Sequence, residues 1–106
     1  MTQTIRQGDV LVTPIDAIPD EARPVARDAG RVVLAYGEVT GHAHAIHEPN
    51  AELLSVDENE RFLRIVGSGV VLRHEEHSAI AIAPGTYRVV RQREWTDEDE
   101  PTFVAD

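Results

Sequence analysis

The most informative absence in this sequence of 106 residues is that of cysteine. Without a thiol the chain has no disulfide bonds, thiolate metal sites, iron–sulfur clusters or cysteine nucleophile. Lysine is absent too, because all 10 basic residues are arginine. Its absence excludes Schiff-base chemistry and a phosphate-binding loop of the lysine type.

Positive charge and long apolar runs are also scarce. The formal net charge of −9 argues against nucleic acid or an anionic membrane as the main partner. No apolar run approaches the roughly 20 residues of a membrane span. The start, MTQTIRQGDV, does not show the basic and then apolar pattern of a signal peptide. We therefore expect a cytoplasmic location.

Short apolar or alternating runs, rich in Val and Ile, recur between turn residues. About eight such runs in one small domain predict an all-β fold, either a small β-barrel or a β-sandwich, because a single open sheet cannot bury both faces. Residues 1–106 are expected to form one domain. The predicted strands lie in DVLVTPI, RVVLAYG, GHAHAIH, AELLSV, RFLRIV, GVVLRH, SAIAIA and TYRVVRQREW.

All 5 histidines lie between residues 42 and 77, and three of them fall in GHAHAIH. Because side chains alternate along a strand, His42 and His44 should point to one face and His47 to the other. Two imidazoles at positions i and i+2 can reach one ion, with nitrogens about 2.0–2.1 Å from zinc. His47 is interpreted as a bystander.

The second histidine group lies in LRHEEHS. His74 shares a face with Leu72, which should turn inward. A two-residue turn at Glu75-Glu76 would place His74 opposite His77. Such turns usually require glycine or asparagine at positive φ, so a longer loop is expected and the direction of His77 stays open.

Together the two groups predict a site for one divalent transition metal ion, held by His42, His44, His74 and His77. Neutral imidazoles are the commonest metal ligands, and a carboxylate often completes the set. The ligand type does not choose among Zn, Fe, Ni, Cu and Mn. Acidic residues near the histidines offer a further ligand: Glu38, Glu48, Glu75, Glu76 and Glu94.

The number of ligands decides what such a site could do. Three histidines leave a position for a water molecule, which the metal could activate with Glu38 or Glu76 as general base. Four histidines close the site and favour a structural, storage or sensor role. The alternative is a non-catalytic accessory or interaction protein, whose histidines form a polar network or a structural metal site. A small-molecule ligand and a homodimer are compatible with either hypothesis.

The arginines of TYRVVRQREW allow two interpretations. Arg91 and Arg93 share one face and could bind a carboxylate or phosphate group. We favour an edge or outer strand whose arginines pair with nearby acids.

Two resemblances add to these predictions. GEVTGHAHAI, LRHEEHS and PGTYRVVRQREW resemble segments of a group of small bacterial and phage-type proteins of unassigned function, although Trp95 stands where that group has tyrosine. This resemblance implies that both histidine groups belong to one unit. Gly37, His42, His44 and Glu48 are spaced similarly to the first metal motif of the cupins, with one residue fewer in the first gap and no trailing glycine. The cupin resemblance implies, by analogy, a metal-binding β-barrel.

Overall fold

The computed structural model describes residues 4–37 and 41–92. Within these ranges no helix is long and apolar enough to cross a membrane. The strands are β1 Ile5–Gln7, β2 Val10–Pro14, β3 Arg23–Pro24, β4 Val32–Tyr36, β5 Ala43–Ile46, β6 Ala51–Ser55, β7 Arg61–Ile65, β8 Val70–His74, β9 His77–Ile82 and β10 Gly85–Arg91.

These strands form two antiparallel sheets. One has six strands in the order β1-β2-β10-β7-β6-β3, and the other has four in the order β4-β5-β8-β9. Among the described residues no strand pairing joins the two sheets into a closed barrel. The all-β prediction is confirmed, and of its two architectures the β-sandwich fits the molecule.

The main core lies between the facing sides of the sheets. Alternate residues of the large sheet point inward, such as Val12 on β2 and Val89 on β10, which are neighbours in the strand register. The small sheet contributes Leu34, Ile46 and Leu72, each 0% exposed. Burying each such side chain stabilises the fold by about 1.5–3 kcal/mol.

A second, smaller apolar cluster covers the outer face of the large sheet. Leu54 on β6 and Phe62 on β7 point away from the main core and are buried with Ala22. Ile15 and Ile18, which follow β2, pack against this cluster. The connection between β2 and β3 therefore shields a face that would otherwise expose Leu54 and Phe62 to water.

Strand β10 lies inside the large sheet, between β2 and β7, so the prediction of an edge strand is wrong. Its register pairs Val89 with Val12 on one side and with Arg61 on the other. Central placement follows from the buried side chains of Tyr87 and Val89, which need cover from both neighbouring strands. Arg93 and Trp95 lie outside the described residues.

The connection between β8 and β9 is a two-residue turn, Glu75-Glu76, with His74 opposite His77. The expectation of a longer loop is therefore wrong. Among the described non-glycine residues only Ala29 has a positive φ, so neither glutamate of the turn has one. The strand register shifts between Leu72 and His74. A bulge of this kind raises the local twist, which allows a hairpin without the usual glycine or asparagine.

Candidate functional site

A polar pocket opens at the end of the sandwich where the β1–β2 turn, β5, the β8–β9 hairpin and the end of β10 meet. Its volume is about 260 Å³. We call it the histidine pocket, and its lining residues are Asp9, Gly37, His42, His44, His74, Glu76, His77 and Arg91.

The structure brings the four predicted histidines together around the ring of His74. The ring centroid of His74 lies 4.2 Å from that of His44, 4.8 Å from that of His77 and 5.9 Å from that of His42. The rings of His44 and His77 are 5.8 Å apart. Residues on β5 and on the β8–β9 hairpin, about thirty positions apart in sequence, thus share one pocket. His47 is exposed and does not line it.

His44 is the most buried of these histidines, with 2% of its surface exposed. Its Nδ1 lies 2.9 Å from the side-chain oxygen of Gln7, a β1 residue that is itself 0% exposed. The side-chain nitrogen of Gln7 donates to the backbone carbonyls of Leu72 at 3.0 Å and Ser78 at 2.9 Å. Both carbonyls lie beside the register shift of β8 and β9, where the ladder of backbone hydrogen bonds is interrupted.

These contacts determine the tautomer of His44. Two carbonyl acceptors use both N–H groups of Gln7, so its amide oxygen can only accept a hydrogen bond. Nδ1 of His44 must then carry the proton and donate it to Gln7. In the neutral ring this leaves a lone pair on Nε2, the arrangement in which a histidine is prepared to bind a metal.

Burial keeps the ring of His44 neutral. The pKa of His44 is lowered from its usual 6.5 to about 4, chiefly by loss of hydration and in part by the neighbouring His74, while the negative charge of Asp9 works in the opposite direction. At neutral pH the imidazole of His44 therefore has one proton, which is on Nδ1.

Asp9 faces the Nε2 lone pair of His44. Its Oδ1 lies 3.5 Å from Nε2, and its Oδ2 accepts a hydrogen bond from Nε of Arg91 at 3.0 Å. Burial alone would raise the pKa of Asp9, but the hydrogen bond and charge of Arg91 outweigh it, so the pKa lies below its usual value. Arg91 also donates to the backbone carbonyl of Tyr36, which fixes the guanidinium against β4.

The β8–β9 hairpin holds its turn and His74 by short contacts. The backbone N–H of Glu76 donates to Nδ1 of His74 at 3.0 Å, so the neutral ring of His74 carries its proton on Nε2. The carboxylate of Glu75 accepts from the backbone N–H of Ala43 at 3.0 Å, which ties the hairpin to the start of β5. This hydrogen bond holds the pKa of Glu75 below its usual value.

His42 lies at the rim of the histidine pocket. Its Nδ1 is buried without a hydrogen-bond partner and lies 3.5 Å from a carboxylate oxygen of Glu76. The side chain of Glu76 is 59% exposed, so it can move toward or away from the ring. His42 is thus a second imidazole whose nitrogen faces a carboxylate across a gap longer than a hydrogen bond.

Two glycines leave room for the imidazole rings. A Cβ atom at Gly8 would lie 2.7 Å from Nε2 of His77 and 3.2 Å from Cε1 of His44. A Cβ at Gly37 would lie 3.0 Å from Cβ of His42 and 3.3 Å from Nε2 of His74. The backbone therefore approaches the rings directly, and larger residues at these positions would displace them.

The donor atoms do not surround a common point. Within residues 4–37 and 41–92, no three His, Asp or Glu side chains are arranged as a group that could hold a metal ion without rearrangement. His74 shows one reason, because its Nδ1 already accepts a hydrogen bond from Glu76. Metal binding here would require rotation of at least some of these side chains.

The remaining acidic candidates divide into three cases. Glu76 lines the histidine pocket, whereas Glu48 and Glu75 do not. One carboxylate oxygen of Glu48 accepts from the backbone N–H of Val71 at 3.1 Å, which ties the start of the β5–β6 connection to β8. Glu38 and Glu94 lie outside the described residues.

Sequence reasoning missed Gln7 and Asp9 and did not place Arg91 in the site. The segment QGDV signals a turn through Gly8 and Asp9, but it carries no mark of the histidines more than 30 residues away. Only the packing of β1 and β2 against the small sheet brings these side chains into the histidine pocket.

Residues 6–92 match a protein family described as "Domain of unknown function (DUF8820)". The chain belongs to this family. The match covers both histidine groups, Gln7, Asp9 and Arg91, so the whole histidine pocket lies within the DUF8820 domain.

No curated protein and no solved structure matches the DUF8820 chain. The family description assigns no activity, and the resemblance to the cupin metal motif stays a prediction.

Proposed function

We propose that this DUF8820 domain binds a divalent transition metal ion in the histidine pocket, through His42, His44, His74 and His77. The observation that carries the proposal is the buried ring of His44, whose Nδ1 is committed to Gln7 and whose Nε2 lone pair points into a polar pocket. An outer hydrogen bond that sets tautomer and ring direction is a regular companion of metal-binding histidines.

The surroundings of His44 support the same function. Three further imidazoles and two carboxylates line the same pocket, which has a volume of about 260 Å³. Nitrogen and carboxylate donors suit Zn, Fe, Ni, Cu and Mn. A ligand set with three imidazoles would leave a position for a water molecule, the arrangement of catalytic sites, whereas four would close the site. The coordination number therefore separates an enzyme from a storage, sensor or structural protein.

The test is the metal content of the untagged full chain. We expect stoichiometric metal in the wild type and its loss in a His42→Ala/His44→Ala variant and in a His74→Ala variant. The matched control is His47→Ala, since His47 is exposed and does not line the histidine pocket. Circular dichroism of each variant confirms that the fold persists. Wild-type protein without metal, and without a thermal shift on addition of Zn, Ni, Fe or Mn, contradicts the proposal.

One observation favours a second candidate, a polar network without metal in a non-catalytic protein. Nδ1 of His74 already accepts a hydrogen bond from the backbone N–H of Glu76. Among the described residues, no group of three or more His, Asp or Glu side chains is arranged to hold a metal ion as it stands. In that case a chelator has no effect on melting, whereas loss of a bound structural metal would lower the melting temperature.

A further inference from the structure

We propose that Asp9 is the oxygen ligand of the metal ion in the histidine pocket, and that it binds the ion together with Nε2 of His44. This inference rests on the proposed function and adds a residue that neither the histidine spacing nor the family assigns. Asp9 occupies the two-residue turn between β1 and β2, next to the strand that carries Gln7.

The distance between the two donor atoms suits a shared ion. Oδ1 of Asp9 and Nε2 of His44 are 3.5 Å apart. We expect a tetrahedral set in which Asp9 takes the place of one of the four histidines. In such a set two ligands at about 2.1 Å from the ion are about 3.4 Å from each other. The separation is also longer than a charge-assisted hydrogen bond, which is about 2.7–2.9 Å.

The chemistry of the pair calls for a cation between the two atoms. Gln7 commits the proton of the neutral His44 ring to Nδ1, so Nε2 has only a lone pair to offer. Nε of Arg91 donates to Oδ2 of Asp9 at 3.0 Å, so Oδ1 is the carboxylate oxygen that faces Nε2 of His44. Two acceptors facing each other in a half-buried pocket repel, and a divalent cation between them converts that repulsion into attraction.

Asp9 is also better positioned than the other acids near the pocket. Glu75 and Glu48 do not line the histidine pocket. Their carboxylates instead accept backbone N–H groups, from Ala43 and Val71 respectively. Glu76 extends from a hairpin turn with a side chain that is 59% exposed, whereas that of Asp9 is 33% exposed and held by Arg91. A ligand already held in place loses less conformational entropy when it binds an ion.

The experiment measures the affinity of the full chain for Zn²⁺ by competition with a chromogenic chelator, in wild type, Asp9→Asn and Glu75→Gln. Asparagine keeps an oxygen for Arg91 and places an N–H₂ group near Nε2 of His44, so we expect the fold to persist, which circular dichroism checks. Asp9→Asn should bind Zn²⁺ at least about tenfold more weakly, the least that loss of a direct ligand should cost. Glu75→Gln is the matched control and should bind like the wild type.

The outcomes separate this inference from the proposed function. Weaker Zn²⁺ binding by Asp9→Asn, together with wild-type binding by Glu75→Gln, supports Asp9 as a ligand. Equal binding by Asp9→Asn and wild type overturns that role, while the metal site itself stands. A wild type that binds no Zn²⁺, Ni²⁺, Fe²⁺ or Mn²⁺ overturns both. As a second measurement, the X-ray absorption spectrum of the zinc-loaded wild type should contain one short zinc–oxygen distance from a carboxylate that Asp9→Asn lacks.

Discussion

The amide of Gln7 holds the ring of His44 from the side opposite the histidine pocket, with 2.9 Å between the Gln7 oxygen and Nδ1 of His44. Both residues are almost fully buried. The same amide bridges the carbonyls of Leu72 and Ser78 at the register shift between β8 and β9. One side chain therefore joins the edge strand β1 of the large sheet, the irregular hairpin of the small sheet and the buried ring of His44.

The first prediction concerns the tautomer that this contact imposes. In protein treated with chelator at pH 7, ¹⁵N spectra of the imidazoles should show His44 as the neutral form with its proton on Nδ1. In a Gln7→Met variant, which has a similar volume, this preference should be lost because no acceptor faces Nδ1. A wild-type His44 with its proton on Nε2 would contradict the assignment.

The same variant should lose stability. Gln7→Met leaves the carbonyls of Leu72 and Ser78 and the N–H of His44 without their partner, at a cost on the order of 3 kcal/mol. Urea unfolding followed by circular dichroism measures this cost. A Gln7→Glu variant tests the same contacts differently, because an ionised carboxylate cannot donate to either carbonyl and should also destabilise the fold.

A second prediction follows from the low pKa of His44, which is about 4 in the folded protein compared with the usual histidine value of 6.5. Between these values the unfolded chain binds a proton that the folded chain does not, so stability is complete above pH 6.5 and falls as the pH drops toward 4. The loss is on the order of 3 kcal/mol. The free energy of unfolding against pH, measured with chelator present, should show this step.

A His44→Gln variant provides the comparison, since it cannot titrate in this range and its curve should lack the step. Asp9 acts at lower pH: its pKa lies below the usual 3.8, so its contribution is present above that value and is lost as the pH falls further. A wild-type curve that is flat between pH 6.5 and 4 would mean that the buried ring is not neutral.

A third prediction concerns the main core. The hydroxyl of Tyr87 donates to the carbonyl of Ala83 at 2.6 Å, and the side chain is 1% exposed. Tyr87→Phe keeps the ring and removes this bond, so it should cost about 1 kcal/mol in urea unfolding. The control is Tyr36→Phe, because Tyr36 is 54% exposed and its bond to Asp28 is open to water. If both variants lose the same free energy of unfolding, burial does not strengthen the hydrogen bond of Tyr87.

Strands with clear alternation could be predicted from the sequence, and others could not. The runs around Val10, Leu53 and Val89 have the Val and Ile content and spacing of two that half-buried strands require. Strand β1 has only 3 residues and ends in Gln7, whose burial depends on two carbonyls 65 and 71 positions away. Strand β3 has 2 residues and includes a proline. Such elements exist because tertiary contacts hold them.

In the histidine pocket, too, some features could be predicted from the sequence and others could not. Spacing and strand parity place His42 and His44 on one side and His47 on the other, and these are local properties of β5 and the residues that flank it. The direction of His77 depends on a bulge at Leu72 to His74, which glutamates in the turn do not reveal. Asp9 and Arg91 enter the pocket through the register of β2 with β10, where Arg91 pairs with Val10. No local pattern in either segment contains that information.

The last prediction concerns Gly8, one of the two glycines that face the imidazole rings. Gly8 has φ of +58°, and a Cβ there would lie 2.7 Å from Nε2 of His77. Gly8→Ala should destabilise the fold by about 1–2 kcal/mol through backbone strain, and it should also displace His77 and weaken Zn²⁺ binding. Gly67→Ala is the matched control, since Gly67 has φ of +78° but nothing within 4 Å of its Cβ position. The control should share the loss of stability and keep the affinity for Zn²⁺. Equal affinities in the two variants would show that the close approach of Gly8 to His77 does not shape the site.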